Sequence, residues 1–410
     1  MNRRAALISL ATLPLVLRAA PKPLPVAAII TEYRNNSHAD VIIGKILEGW
    51  KQDGGAGPNL KLAAMYVDQF PKSDMSRALA KKHNFPITKT IAEAITLGTG
   101  KVQVAGVLSI GEHGHYPYTP KTKQHMYPRR RFFDAIADTF KKCGRAVPVF
   151  NDKHLAYNWK DAKHMYDRAR AMKIPFMAGS SLPVAWRLPA KALPIGAEVE
   201  AAMGIGYGGL ESYGFHSLET FQCVMERRKG GETGVASVQV VKGNAIWKAH
   251  EEKRWSFDLL VAALRGTGVK MARDEIREKL TERAPIYLME YRDGLRGAVA
   301  LVNGIGRDFG VAFKLRGQAK PFVNQFWLQD GKPYRHFEHL LRAIEPMIHT
   351  GKPSYPVERT LLTTGILDRA MHSAAEGGRL YETPELNFRY RPADWPFANL
   401  NGRFPQPAGE

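Results

Sequence analysis

The residues of this 410-residue chain best suited to chemistry stand where short apolar runs end. The run Ala146-Val147-Pro148-Val149-Phe150 gives way to Asn151-Asp152-Lys153-His154, and a lysine placed there can take a proton from a substrate hydroxyl. Leu60 to Tyr66 leads into Val67-Asp68, a carboxylate that suits a ribose 2′-hydroxyl and repels a 2′-phosphate. Val102 to Ile110 exits into Gly111-Glu112-His113-Gly114-His115-Tyr116-Pro117, with His125 further along. Imidazoles and a carboxylate suit zinc. An H-x-H pair with a distant third histidine is no zinc spacing, so no metal ligands are assigned. Pro25 to Ile30 is followed by Thr31-Glu32-Tyr33-Arg34-Asn35-Asn36-Ser37. Arg34, Asn36 and Ser37 can donate to a phosphate near a helix N-terminus. Ser37 is equally a good N-cap.

Positioning such groups requires strands whose carboxyl ends meet. The runs Pro25–Ile30, Leu60–Tyr66, Val102–Ile110, Ala146–Phe150 and Ile174–Ala178 read as buried parallel strands. Between them His38–Trp50, Ser76–His83, Ile91–Leu97, Arg131–Lys142 and the segment from Trp159 to Met172 read as helices, with Pro86-Ile87-Thr88 a short strand. Polar groups at the carboxyl ends of parallel strands are where open α/β sheets place ligands. The chain then changes character. Glu198–Gly206, Val235–Val241, Ile286–Glu290, Val299–Val302, Gly310–Leu315 and Pro321–Leu328 read as strands of a mostly antiparallel sheet. Helices are expected at Leu218–Arg227, His336–His349 and Val357–Ala375.

Asp152-Lys153-His154, set between strand and helix, resembles the Glu-Lys-Pro segment of the Gfo/Idh/MocA oxidoreductases, whose lysine lies beside the nicotinamide and the substrate carbon. The lysine is kept; the glutamate has become aspartate and the proline histidine. Gly111 to Pro117 resembles that family's Thr-Pro-Asn-x-x-His turn, with His115 at the histidine and Glu112 at the asparagine. Tyr213-Gly214-Phe215-His216 resembles its Asp-x-x-x-His segment. His216 matches the histidine and Ser212 stands for the aspartate, which leaves Glu211 or Glu219 to orient the imidazole. The resemblance runs in order along nearly the whole chain after residue 20. One departure is large: the linker after the first strand has no glycine, where G-x-G-x-x-G would let a backbone approach a pyrophosphate.

The resemblance implies an α/β protein: a Rossmann-type parallel-sheet domain over 22–180, then an α+β domain over 181–386 with an open, mostly antiparallel sheet. A loose tail over 387–410 is expected from Pro392, Pro396, Pro405 and Pro407. It implies NAD as cofactor, held by Thr31, Tyr33, Arg34, Ser37, Asp68, His115 and Lys153, with Asp68 favouring NAD over NADP. Lys153 or His216 would act as general base, and Lys153, His115 and His216 would converge in a cleft. The leading function is an exported NAD-dependent oxidoreductase acting on a sugar or sugar-like polyol. Two alternatives stand beside it: an NAD-dependent glycosidase or lyase working by transient oxidation, and a carbohydrate-binding relative that has lost its cofactor. Residues Tyr118–Tyr127 read as a lid. The antiparallel sheet offers a surface for pairing copies of the chain.

Composition bounds these readings. Hydrophobic residues at 44% and charged residues at 24% describe a globular chain. The net charge of +20 is dispersed, with short clusters at Arg129-Arg130-Arg131 and Arg227-Arg228-Lys229. No nucleic-acid-binding motif accompanies it, so the charge is read as serving solubility and anionic ligands. Residues 1–20 read as a targeting segment: Asn2-Arg3-Arg4 is a basic start and Ala5–Leu17 an apolar core too short to span a bilayer comfortably. The paired arginines resemble a twin-arginine signal. Export, to a periplasmic or extracellular place, is therefore expected, with no lasting membrane span. Cys143 and Cys223 read as core residues whose pairing is left open.

Overall fold

The computed structural model describes residues 22–407; the targeting segment lies outside the described residues. Its first half alternates strand and helix: β1 (Leu24–Ile30), α1 (His38–Glu48), β2 (Leu60–Val67), α2 (Ser76–His83), β3 (Ile87–Thr88), α3 (Ile91–Thr96), β4 (Gly106–Ile110), α4 (Arg129–Cys143), β5 (Val149–Asp152), α5 (Trp159–Ala171) and β6 (Phe176–Gly179). All strands are parallel, in the order β3-β2-β1-β4-β5-β6. Burial on both faces explains the unbroken apolar run Val26–Ile30, every residue of which is fully buried. One face packs on α3, α4 and α5 through Phe132, Phe133, Ile136 and Met165. The other packs on α1 and on a helix from the far end of the chain, α10 (Arg335–Thr350). The strand order reverses between β1 and β4, and a crevice opens there at the carboxyl ends.

The second half holds β7 (Trp186–Leu188), β8 (Val199–Gly206), α6 (Ser212–Met225), β9 (Val235–Val241), α7 (Asn244–Glu251), α8 (Phe257–Gly266), α9 (Arg273–Lys279), β10 (Ile286–Tyr291), β11 (Arg296–Leu301), β12 (Phe309–Leu315), β13 (Phe322–Trp327), α11 (Glu358–Ala375) and β14 (Tyr381–Glu382). Its sheet runs β14-β9-β10-β11-β8-β12-β13-β7, antiparallel except where β8 meets β11. The expected two-part α/β architecture is present. α11 joins the halves: Leu361 packs in the core of the first and Leu362, Ile366 and Leu367 in the core of the second.

Three expectations are corrected. Among the described residues both faces of the sheet are covered by helices, so its faces are not the surface expected for pairing copies: α6 and α11 cover one side, while α7, α8 and α9 cover the other through Leu260, Leu264, Ile246 and Ile276. Those three helices fall in a stretch that the strand-based reading passed over. The tail is not loose either. Tyr390 and Phe397 are buried, the Asn399 amide pairs with the backbone of Arg187 (3.0 and 2.9 Å), and Trp186 donates to the Pro405 carbonyl (3.0 Å). Prolines suppress regular structure without preventing packing. The basic clusters, finally, are internally matched: Arg129 to Glu112, Arg130 to Asp161, Arg131 to Asp68, Arg227 to Asp394, Arg228 to Glu232 and Lys229 to Glu198.

Candidate active site

Between the two sheets lies a cavity of about 730 Å³, lined by the carboxyl ends of β4 and β5, the first turn of α6, β12 and the start of α10. Lys153 reaches it because the chain leaves β5 through a left-handed turn: Lys153 has φ of +59° and its amide donates to the Gly179 carbonyl (3.1 Å). A non-glycine residue held there costs on the order of 1–2 kcal/mol, which packing has to offset. Its Nζ donates to Glu112 Oε1 (2.8 Å), and Arg129 donates to the other carboxylate oxygen. Thr31 fixes the same residue from behind by donating its hydroxyl to the Glu112 carbonyl (2.6 Å). Burial works to raise the Glu112 pKa, but the charges of Lys153 and Arg129 outweigh it and hold the carboxyl well below its usual range. The cavity floor is thus a buried carboxylate between two cations.

Imidazoles crowd around this floor. His216, on the first turns of α6, lines the cavity and has a buried, unpartnered Nδ1. Desolvation, then the charge of Lys153, holds it well below its ordinary pKa, so it is a neutral base at neutral pH. His38 bonds Asp152 Oδ2 (2.6 Å) from the start of α1. His113 accepts from Arg34 through Nδ1 (3.2 Å), leaving Nε2 unpartnered, and burial lowers its pKa to about 3. His154 stacks on Phe215 (4.4 Å between ring centres) with neither ring nitrogen partnered. His336, from α10, is likewise pushed to about 3 by burial. Glu211 accepts the His125 amide on both oxygens (3.0 and 2.9 Å), and burial lifts its pKa to about 7. Two aromatic walls flank the space: Tyr118, His125 and Tyr127 on one side, Tyr207, Tyr213 and Phe309 on the other.

Of the residues singled out in the sequence, the cavity unites Lys153 and His216, with Glu112 beneath them. His115 is not among them. His113 (φ +71°) and Gly114 (φ +94°) are consecutive left-handed residues that reverse the chain, turning His113 inward and leaving His115 exposed. The other residues assigned to the cofactor sit at the crevice but are engaged by the protein. Tyr33 is buried in the core and Ser37 caps α1 by accepting from the Asp40 amide (3.3 Å). Arg34 pairs with Glu32 (2.7 Å). Asp68 accepts from Tyr66 (2.7 Å), Tyr116 (2.6 Å) and Arg131 (2.7 Å). Arg131 is brought to Asp68 from α4, so the carboxylate's charge is partly offset by a cation 63 residues away. Neither Glu211 nor Glu219 bonds His216: Glu219 instead accepts from Ser180 (2.6 Å). Cys143 and Cys223 are unpaired. Among the described residues no cluster is arranged to hold a metal ion, and no helix is long and apolar enough to cross a membrane.

A parallel sheet with its switch point facing a second, mixed sheet defines the class by fold: the chain shares the two-domain α/β architecture of a group of solved oxidoreductase structures. Among solved structures, GenD2 from gentamicin A biosynthesis, in complex with NAD, matches with a TM-score of 0.55 and 14% identity over 90% of this chain and 99% of its own. An oxidoreductase from Agrobacterium radiobacter, in complex with NAD+, L-tartaric acid and magnesium, matches at 0.52 and 15% over 88% of this chain and 98% of its own. A myo-inositol dehydrogenase from Corynebacterium glutamicum gives 0.52 and 11% over the same shares. Identities this low carry the fold and nothing finer. No family model and no curated protein matches the sequence.

Proposed function

We propose that the protein is an oxidoreductase that acts on a sugar or sugar-like polyol with NAD as cofactor. What supports this reading is the convergence of Lys153, Glu112 and neutral His216 in one cavity between aromatic walls. Unpartnered imidazole nitrogens offer both donors and acceptors to hydroxyl groups. Aromatic faces suit the C–H faces of a sugar ring. His216 takes the hydroxyl proton, because Lys153 is already a donor to Glu112. Lys153 then steadies the charge that develops on the substrate oxygen.

The inner half of a dinucleotide site fits: Asp152 Oδ1, Asn151 Oδ1 and His113 Nε2 are buried and unpartnered around the carboxyl ends of β4 and β5. Those residues, with Lys153, would hold the nicotinamide end. When bound, NAD supplies the hydride acceptor. The outer half is engaged by the protein in this conformation. Asp68 holds three donors, and the Asp40 carboxylate takes the Asn36 amide (2.9 Å) at the N-terminus of α1. That engagement favours one second reading, a carbohydrate-binding relative without cofactor. A panel of aldoses, polyols and aryl glycosides, incubated with protein and NAD and followed by the absorbance of reduced nicotinamide, separates the two. Reduction with at least one substrate supports the enzyme. Heat of sugar binding with no nucleotide binding supports the alternative. Arg3-Arg4 and Ala5–Leu17 support an exported mature protein as part of the same proposal.

A further inference from the structure

The segment between β4 and α4 has two faces with different partners. Its inner face gives Glu112, His113, Tyr118, His125 and Tyr127 to the cavity. Its outer face crosses the carboxyl end of β1 and fastens to the loop after β2. There the Gln69 side-chain amide donates to the His115 carbonyl (2.9 Å) and accepts the His115 amide (2.8 Å). One residue on, the Tyr116 hydroxyl donates to Asp68 Oδ2 (2.6 Å). The fastening lies directly over the switch point, since Gln69 and Thr31 are themselves joined backbone to backbone (2.7 Å) and Thr31 bonds Ile110 (3.2 Å).

The geometry points to residues 113–117 as an internal latch, in which the Tyr116 phenol occupies on Asp68 the place that a ribose hydroxyl of a dinucleotide would take. A carboxylate at the end of the second strand of such a sheet is the ribose-reading position, and here it is already filled by a hydroxyl from its own chain. The latch is built to lift. Toward the switch point it is held by one amide clamp and one phenol, with the left-handed pair His113-Gly114 at its centre; on the cavity side Arg34 donates to His113 Nδ1 (3.2 Å), His125 Nε2 donates to the Tyr116 carbonyl (3.1 Å) and the Met126 amide to the Pro117 carbonyl (2.9 Å). His115, Pro117 and Tyr118 are exposed. The far part of the segment has anchors of its own: Gln124 donates to Asp368 (2.9 Å) and the His125 amide to Glu211. Because the same segment carries His113 and Tyr118, lifting it to admit the adenosine end also reshapes the cavity wall. Dinucleotide and substrate are thereby coupled through one element.

This inference rests on the NAD reading, and the test separates the two. NAD affinity is measured by calorimetry on the mature chain for wild type, Tyr116→Phe, Gln69→Ala and the double variant. Hydrogen exchange of residues 113–117 is followed with and without NAD. A protein whose competent state is a minor one binds more weakly by that fraction, so removing a latch contact tightens binding. Loss of the phenol's bond to a carboxylate is worth about tenfold in affinity, and the double variant about 10- to 100-fold. NAD should also speed exchange at 113–117. Equal NAD affinity in all four proteins overturns the latch and leaves the cofactor reading standing. Absence of nucleotide binding in all four overturns both, and the segment is then a permanent wall. Should Gln69→Ala fail to fold, Tyr116→Phe alone decides, since Asp68 keeps Tyr66 and Arg131.

Discussion

Replacing Glu112 by glutamine should be the most damaging conservative change in the molecule. The carboxylate accepts from Lys153 on one oxygen and from Arg129 on the other, and all three side chains are buried. Glutamine keeps the shape but has one acceptor oxygen; its NH2 would face the donors of the other cation. One charge-assisted bond is lost and a buried cation is left unbalanced, a change that costs about 3–5 kcal/mol when one partner of a buried pair is removed. For a chain of this size that corresponds to a melting temperature lower by about 4–6 °C. Circular dichroism on heating, and urea titration at constant m-value, would read it. The pH dependence supplies a second signature. The folded Glu112 pKa is depressed, so its contribution is complete above the ordinary value of 4.5 and is lost as the pH falls below it. Glu112→Gln should flatten that acid limb. Adding Lys153→Met should recover part of the loss, with a coupling of about 1–3 kcal/mol. Wild-type stability in Glu112→Gln would refute the claim that this carboxylate balances two buried cations.

Other groups give two further expected outcomes. Glu211 and Glu219 are both raised to about 7, chiefly by burial, so each binds a proton more readily folded than unfolded. Stability should therefore decline as the pH rises from about 4.5 to 7, and Glu219→Gln, which keeps the Ser180 contact through its carbonyl oxygen, should lessen that decline. Changing Arg3 and Arg4 together to lysine should retain the precursor inside the cell on fractionation; unchanged export would exclude the twin-arginine route and leave the general secretory one.

The architecture was legible because its signals are local. The apolar run Pro25–Ile30 is β1 but for one residue, the expected helix His336–His349 is α10 to within one residue at each end, and Val235–Val241 is β9 unchanged. The placement of Lys153 at the cavity was legible from its position at a strand end, and that of His216 from the resemblance of Tyr213-Gly214-Phe215-His216. What escaped depends on contacts far apart in sequence. Asp68 looked free because Tyr116 and Arg131, its partners, lie 48 and 63 residues away. His115 was preferred to His113 because spacing alone does not disclose a left-handed turn at a non-glycine residue. His38 and His336 joined the cavity from helices 298 positions apart, which periodicity can place on a face but not on a common site. The helices α7–α9 escaped because the run Phe257–Leu264, apolar except for Asp258, carries no distinctive helical spacing.

The account stands most directly on the role of His216. With NAD and a substrate from the panel both saturating, turnover of wild type is compared with His216→Asn and Lys153→Ala, alongside nucleotide affinity. Loss of the base should lower kcat by about two to four orders of magnitude, the usual worth of a positioned acid–base group. Lys153→Ala should lower it by a similar factor, and NAD affinity should change little in His216→Asn. Full turnover in His216→Asn would contradict the account, because the imidazole it assigns as the base would then have no part in the chemistry.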